Sequence, residues 1–155
     1  MRITIAAVGT RMPAWAEQAL QDYLERFPRD FEIAVRQVRP EPRHHQPIGH
    51  SLRAEEVRLA AATAQCSRLI ALDERGADWT TEQLARQIGR WRDASEHLGF
   101  LIGGADGLSP QIKARAQPNV RLSSLTLPHA LARVVLVEQL YRAWSILSNH
   151  PYHRA

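Results

Sequence analysis

Two pairs of residues stand out on the apolar run that follows Pro128. Glu138 and Arg142 are spaced four apart with the acid first, the favourable order for a pair on one helical face. His129 and Arg133 repeat that spacing where the run begins. Such pairs are usually solvated surface, worth roughly a few tenths of a kcal/mol. Here they interrupt a helix otherwise built from Leu131, Val134, Val135, Leu140, Trp144 and Leu147, and are therefore expected to face a site. The chain then reads His150-Pro151-Tyr152-His153-Arg154. A tyrosine can stack on a base, an arginine can hold phosphate, and a histidine titrates near neutral pH.

Two further stretches offer main chain rather than side chains. Gly103-Gly104-Ala105-Asp106-Gly107 follows the apolar run Leu98–Ile102, and Ser109-Pro110 can open a helix behind it. It is neither a phosphate loop, since no Gly-Lys-Ser/Thr follows, nor a dinucleotide fingerprint, since the Gly-x-Gly-x-x-Gly spacing is absent. Ser123–His129 places Leu125 and Leu127 on either side of Thr126, ahead of Pro128. Leucines around a main-chain turn can form a slot for an apolar ring, with backbone groups reading its edge. Taken singly, the first stretch also fits a plain turn and the second a strand end packed in a core. His44, His45, His50, His150 and His153 form no helical ligand motif, and no metal is expected.

These residues must be positioned by the rest of the chain. Strand-like runs recur at Ile3–Val8, Phe31–Val38, Arg68–Leu72, Leu98–Ile102 and Val120–Leu125. Helical patterns lie between them. Trp15, Ala16, Ala19, Leu20, Tyr23, Leu24 and Phe27 share one helical face, with Pro13 suited to its first turn. Ser51 can cap a second helix running to about Ala64. Thr80 and Gln83 form a capping box for a third, carrying Leu84, Ile88 and Trp91. Ser109-Pro110 starts a short fourth, and Pro128-His129 the longest, to about Ser148. Alternating strands and helices predict an α/β fold, a mostly parallel sheet with helices on both faces, in one domain spanning 1–155. In such sheets ligands bind at the carboxyl ends of strands. The Pro-rich stretch Arg39–His50 is expected to be a long, mobile loop.

Composition narrows the function classes. No apolar run reaches the length of a membrane span, and the beginning of the chain lacks a signal-peptide core, so a cytoplasmic protein is expected. Cys66 alone cannot form an internal disulfide. The net charge is +4, and Lys113 is the only lysine. Genomic composition bias explains that balance as well as a polyanionic partner does, although arginine suits phosphate and stacked bases.

Read together, Ala7-Val8-Gly9-Thr10, Tyr23–Pro28, Leu72-Asp73, Leu101–Pro110, Leu125–His129, Leu140–Ile146 and Asn149–Arg154 resemble the SPOUT class of RNA methyltransferases. Within it they are most similar to the RlmH family, which methylates N3 of a pseudouridine in bacterial 23S rRNA. The resemblance runs from end to end. It implies a C-terminal trefoil knot, S-adenosylmethionine as methyl donor, and an obligate homodimer with the site at its interface. The substrate it implies is 23S rRNA in the large subunit or the assembled ribosome. Its donor contacts fall on Leu72, Asp73, Gly103, Gly104, Ser123, Ser124, Leu125, Thr126, Leu127 and Pro128. Ala130 departs from the proline common there, and the Arg39–His50 loop carries His and Pro where relatives are richer in Lys.

Methyl transfer from a sulfonium is an in-line displacement governed by alignment. The imide N3 must also lose a proton. Arg142 cannot be the base, because a guanidinium stays charged, but it can stabilise an imide anion or hold phosphate. Glu138 and His153 are the candidate bases, with His129 third, and Tyr152 can stack on the target base. Arg133, Arg142, Tyr152 and Arg154 are the expected RNA contacts. A ribosome-binding factor without a cofactor is the alternative. A Ser hydrolase is disfavoured by the absence of a Gly-x-Ser-x-Gly elbow.

Overall fold

The structure is a computed structural model that describes residues 1–154. Five strands form one all-parallel sheet: β1 (Arg2–Val8), β2 (Glu32–Val38), β3 (Arg68–Asp78), β4 (His97–Ile102) and β5 (Asn119–Arg121). Their order across the sheet is β2-β1-β4-β3-β5. β4 lies at the centre because almost every residue in it is apolar and both its faces are covered.

The alternation of side chains along the strands divides the core into two layers. Ile3, Ile5, Ile70, Leu98 and Phe100 point to one face. There they meet α1 (Ala14–Leu24), α3 (Thr81–Asp93) and α5 (His129–Leu147) through Leu20, Ile88, Leu136 and Leu140. Ala6, Val8, Ala71 and Leu101 point to the other face, under Leu59 of α2 (Ile48–Ala62) and Ile112 of α4 (Pro110–Arg115). Helices therefore cover both faces, as the strand-helix alternation predicts.

α5 is the element that matters most for function. It is wedged between α1 and α3, and Leu136, Val137, Leu140, Tyr141 and Ala143 are all buried. α3 starts where expected: Thr80 Oγ1 accepts from the Gln83 N–H, and the Gln83 side chain accepts from the Thr80 N–H.

Four expectations need correction. Ser51 is not a cap: α2 begins at Ile48 behind Pro47, whose fixed φ is already suited to a helix start, and Ser51 is buried inside the helix. β3 continues past Leu72 to Asp78, pairing with β5 on both sides of an irregularity between Leu72 and Ala77. β5 itself stops at Arg121, so Leu122–Pro128 is a loop rather than a strand end. Trp15 leaves the core face of α1 and stands 56% exposed, whereas Ala16 and Leu20 fill the contact.

Of the expected mobile loop Arg39–His50, the last three residues belong to α2, and 39–47 between β2 and α2 is instead tied down. Buried Glu55 accepts from the Glu41 N–H at 3.0 Å and from Arg43 Nη1 at 2.5 Å. Arg58 bonds Glu41, and Arg43 Nε reaches Asp106 at 2.8 Å.

Because α5 anchors the larger core layer, Leu140→Ala is expected to lower the stability of the fold by about 2–5 kcal/mol, read by urea unfolding. Thr80→Ala, which removes the cap of α3, is expected to cost about 1 kcal/mol. A loss below about 1 kcal/mol for Leu140→Ala would contradict the wedged position of α5.

Candidate active site

The carboxyl ends of β4 and β5 and the irregular middle of β3, where its pairing with β4 ends, open into one cavity of about 610 Å³. Three segments wall it: 72–75 on β3, 102–108 after β4, and 121–127 after β5, with His129 and Ala132 of α5 closing one side. This is where an open α/β sheet places its ligands, and the volume suits a drug-sized molecule.

The middle wall is built by close approach of backbone to backbone. A Cβ on Gly103 would stand 2.3 Å from the Gly107 carbonyl carbon. Gly107 itself takes φ +74° and returns its N–H to the Gly104 carbonyl at 3.0 Å. Only a residue without a side chain fits the first position. In the third wall, Ser123 Oγ accepts from the Leu125 N–H at 2.9 Å, which turns the Leu125 side chain outward. Leu125 is 76% exposed yet borders the cavity, an apolar surface with no protein against it.

The cavity carries both signs of charge. Asp73 accepts from the Arg75 N–H at 2.8 Å and pairs with Lys113 Nζ at 2.9 Å. Burial pushes its carboxyl up, but Lys113 and the Arg75 N–H together outweigh burial and hold it below the usual carboxylate range. Arg121 pairs with Asp78 at 3.0 Å.

A second cluster is formed by the tail, which turns back on α5 as a 3₁₀ turn at Pro151–Arg154. Tyr152 Oη donates to Glu138 Oε1 at 3.0 Å, and Arg142 donates to the same oxygen through Nε and Nη2 at 2.9 and 2.7 Å. Gln139 Nε2 donates to the other Glu138 oxygen at 2.6 Å. The Arg142 guanidinium lies 4.8 Å from the centre of the Tyr152 ring, and the hydroxyls of Tyr23 and Tyr152 are 3.0 Å apart. Burial, then the bonds to Tyr23 and Glu138, raise the Tyr152 phenol well above its ordinary range, so it is a hydrogen-bond donor and not a base. His153 Nδ1 is buried and has no hydrogen-bond partner among the described residues. Arg154 is exposed.

The structure thus brings the sequence candidates together in two groups. Leu72, Asp73, Gly103, Gly104, Ser123, Leu125, Thr126 and Leu127 line the cavity, as does His129. Ser124 and Pro128 belong to the same loop but not to the wall, and Pro128 instead precedes the first turn of α5. Glu138, Arg142 and Tyr152 form the other group, with His153 beside them in the tail. At 1.5 Å per residue, Arg142 sits about 20 Å along α5 from His129.

Arg133 is in neither group, and its assignment as an RNA contact is overturned. It is 2% exposed, and Nη2 donates to the carbonyls of Val8 and Gly9 at 3.1 and 2.9 Å. Gly9 has φ +124°, and a Cβ there would lie 2.8 Å from Arg133 Nη2. Arg133 therefore ties the end of β1 to α5, and burial lowers its pKa. The sequence reading missed Arg75, Lys113, Arg121 and Ala132 in the cavity wall. Lys113 could have been found as the only lysine, placed one turn into the helix behind the glycine loop.

Comparison with known proteins places the chain in a family. The family model described as "Predicted SPOUT methyltransferase" covers residues 1–153. A Ribosomal RNA large subunit methyltransferase H from Paraburkholderia xenovorans (strain LB400) is 50% identical over 155 residues, 99% of each chain. The protein of the same name from Polynucleobacter asymbioticus is 53% identical over 154 residues, again 99% of each. Among solved structures, a probable methylase family protein from Haemophilus influenzae Rd KW20 has a TM-score of 0.58 at 12% identity, covering 97% of this chain and 69% of that one. TrmJ from Z. mobilis ZM4 has a TM-score of 0.54 at 18% identity, covering 92% and 69%. These two likenesses carry the fold, and the full-length family match with half-identical relatives carries the kinship: the chain belongs to the SPOUT methyltransferase family.

Proposed function

We propose that the protein is an S-adenosylmethionine-dependent methyltransferase of large-subunit ribosomal RNA, that its target is N3 of a pseudouridine, and that two copies complete each site. The observation that carries the reading is the cavity of about 610 Å³ where β3, β4 and β5 converge, lined by the glycine turn after β4 and faced by Leu125 and Leu127. That wall fits the donor: exposed leucine surface for the adenine, peptide groups for its edge, and side chains of both signs for a zwitterionic methionyl end. The rRNA target follows the names of the half-identical relatives, and N3 of pseudouridine follows the family resemblance.

When bound, the donor supplies a methyl group on a cationic sulfur. The chain's own residues then hold the acceptor in line and manage its proton. Glu138 already accepts four hydrogen bonds from Arg142, Tyr152 and Gln139. Taking a proton would break one of them, so Glu138 orients Arg142 and Tyr152 rather than acting as base. Arg142, permanently charged, stabilises the imide anion, and Tyr152 offers its ring to the target nucleobase. His153, with Nδ1 unpartnered, is the better proton acceptor. His129 is its rival, because it stands in the cavity wall.

The homodimer is supported by the same geometry. An arginine side chain cannot span the distance of about 20 Å from its place on α5 to the start of that helix. A second copy, set against the first, can bring its tail to this chain's cavity. The alternative, a ribosome-binding factor without a cofactor, has no use for the main-chain cavity.

The direct test is incubation of purified protein with S-adenosylmethionine and large subunits from cells lacking the enzyme, followed by mass mapping of the methylated nucleotide. Calorimetry should show donor binding to the wild-type protein. Gly103→Ala should weaken it at least about tenfold, a change of 1.4 kcal/mol, because the new methyl displaces the Gly107 backbone. No donor binding by the wild type favours the cofactor-free alternative. In single turnover, His153→Ala is expected to slow methyl transfer by about 10²–10⁴-fold. A wild-type rate for His153→Ala passes the role of base to His129. Mixed dimers of Gly103→Ala and Arg142→Ala subunits should recover activity that neither homodimer has. Failure to recover it contradicts a site shared between copies.

A further inference from the structure

The outer face of α3 is not used by anything above. Gln83, Arg86, Gln87 and Arg90 recur at helical spacing on that face, opposite buried Leu84, Ile88 and Trp91. Together with Trp79 they line a cleft of about 210 Å³ that contains no acidic side chain. Arg43, Arg58, Arg68, Lys113, Arg121 and Arg142 each hold a carboxylate. Among the described residues, Arg86 and Arg90 form no ion pair within 4.0 Å.

Trp79 links this cleft to the active site. It also lines a hollow of about 450 Å³ between α3 and α5, whose wall includes Leu72, Arg121 and Leu122. Those three residues line the donor cavity as well. Cleft, hollow and cavity therefore adjoin one another along the surface. Trp79 is half-buried and braced by Trp91, with ring centres 6.3 Å apart, so its ring is held rather than free.

An aromatic ring flanked by unpaired guanidinium groups and a carboxamide has the chemistry of a single-strand platform. A base stacks on the ring, arginines hold the backbone, and an amide bonds an edge. We propose that Trp79, Arg86, Gln87 and Arg90 form a docking site for rRNA flanking the methylated nucleotide, with the two arginines on phosphates and Trp79 beneath an unpaired base. The proposal rests on the rRNA reading above and adds the surface that holds the substrate outside the cavity.

Its test reads binding rather than methyl transfer, so it stays separate from the test of the reaction. Affinity for purified large ribosomal subunits is measured from 50 to 300 mM KCl for the wild type, Arg86→Gln/Arg90→Gln, Arg86→Lys/Arg90→Lys and Trp79→Leu. Calorimetric affinity for S-adenosylmethionine and the thermal midpoint are followed alongside. The glutamine pair takes two cations away from phosphates. Its slope of log affinity against log salt should flatten by about two, and its binding at 100 mM should weaken about ten- to hundredfold. Donor affinity and the thermal midpoint should hold for the glutamine pair. The lysine pair should keep the wild-type slope, and Trp79→Leu should weaken binding with the slope unchanged. A glutamine pair that keeps wild-type affinity and slope overturns the proposal. So does a wild type with no salt-dependent binding, or a weakening that the lysine pair shares in full.

Discussion

The site depends on one steric constraint: the chain leaving β4 folds back so closely that Gly103 and Gly107 touch through their backbones. That contact admits no side chain at Gly103, where the turn after β4 enters the cavity wall. The cavity lies beside that turn, lined by charged residues such as Asp73, Lys113 and Arg121 as well as by Leu125 and Leu127. Parallel pairing of β3 with β4 and with β5 makes the convergence possible, because it brings the carboxyl ends of β4 and β5 beside Leu72 of β3 at one edge. Two apolar layers and the wedged α5 hold the strands in that register.

Length along α5 is the second constraint. The helix begins in the cavity wall at His129 and ends at the tail cluster, so one rigid element carries both halves of the proposed chemistry and keeps them apart. Glu138 organises the far end by accepting from Arg142, Tyr152 and Gln139 at once. Arg133 secures the near end through two carbonyls at the close of β1. A buried arginine thus has a structural role on the same helix as the arginine proposed to act on the substrate.

Much of this was legible in the sequence because it rests on local rules. Apolar runs marked the strands, and Thr80 with Gln83 marked the start of α3. The four-residue spacing of Glu138 and Arg142 gave a real ion pair at 2.7 Å. The same spacing misled at Arg133, because periodicity assigns a face but not what lies against it. There a glycine 124 residues earlier makes room for the guanidinium. Ser51 misled because Pro47 already supplies the helix start, so that Ser51 falls inside α2 rather than ahead of it. The extension of β3 to Asp78 could not be read from Glu74-Arg75-Gly76, which looks like a turn. It is set by pairing with β5, a contact distant in sequence. The anchoring of the 39–47 loop through Glu55 and Asp106 is equally non-local.

The central claim is that the donor lies between the glycine turn after β4 and the leucine turn after β5. A crystal structure of the protein with S-adenosylmethionine tests it most directly. The account predicts density for the donor bounded by residues 102–108 and 121–127, with the sulfonium methyl directed toward the open side. Density elsewhere, with those turns closed on each other by their own side chains, would contradict it.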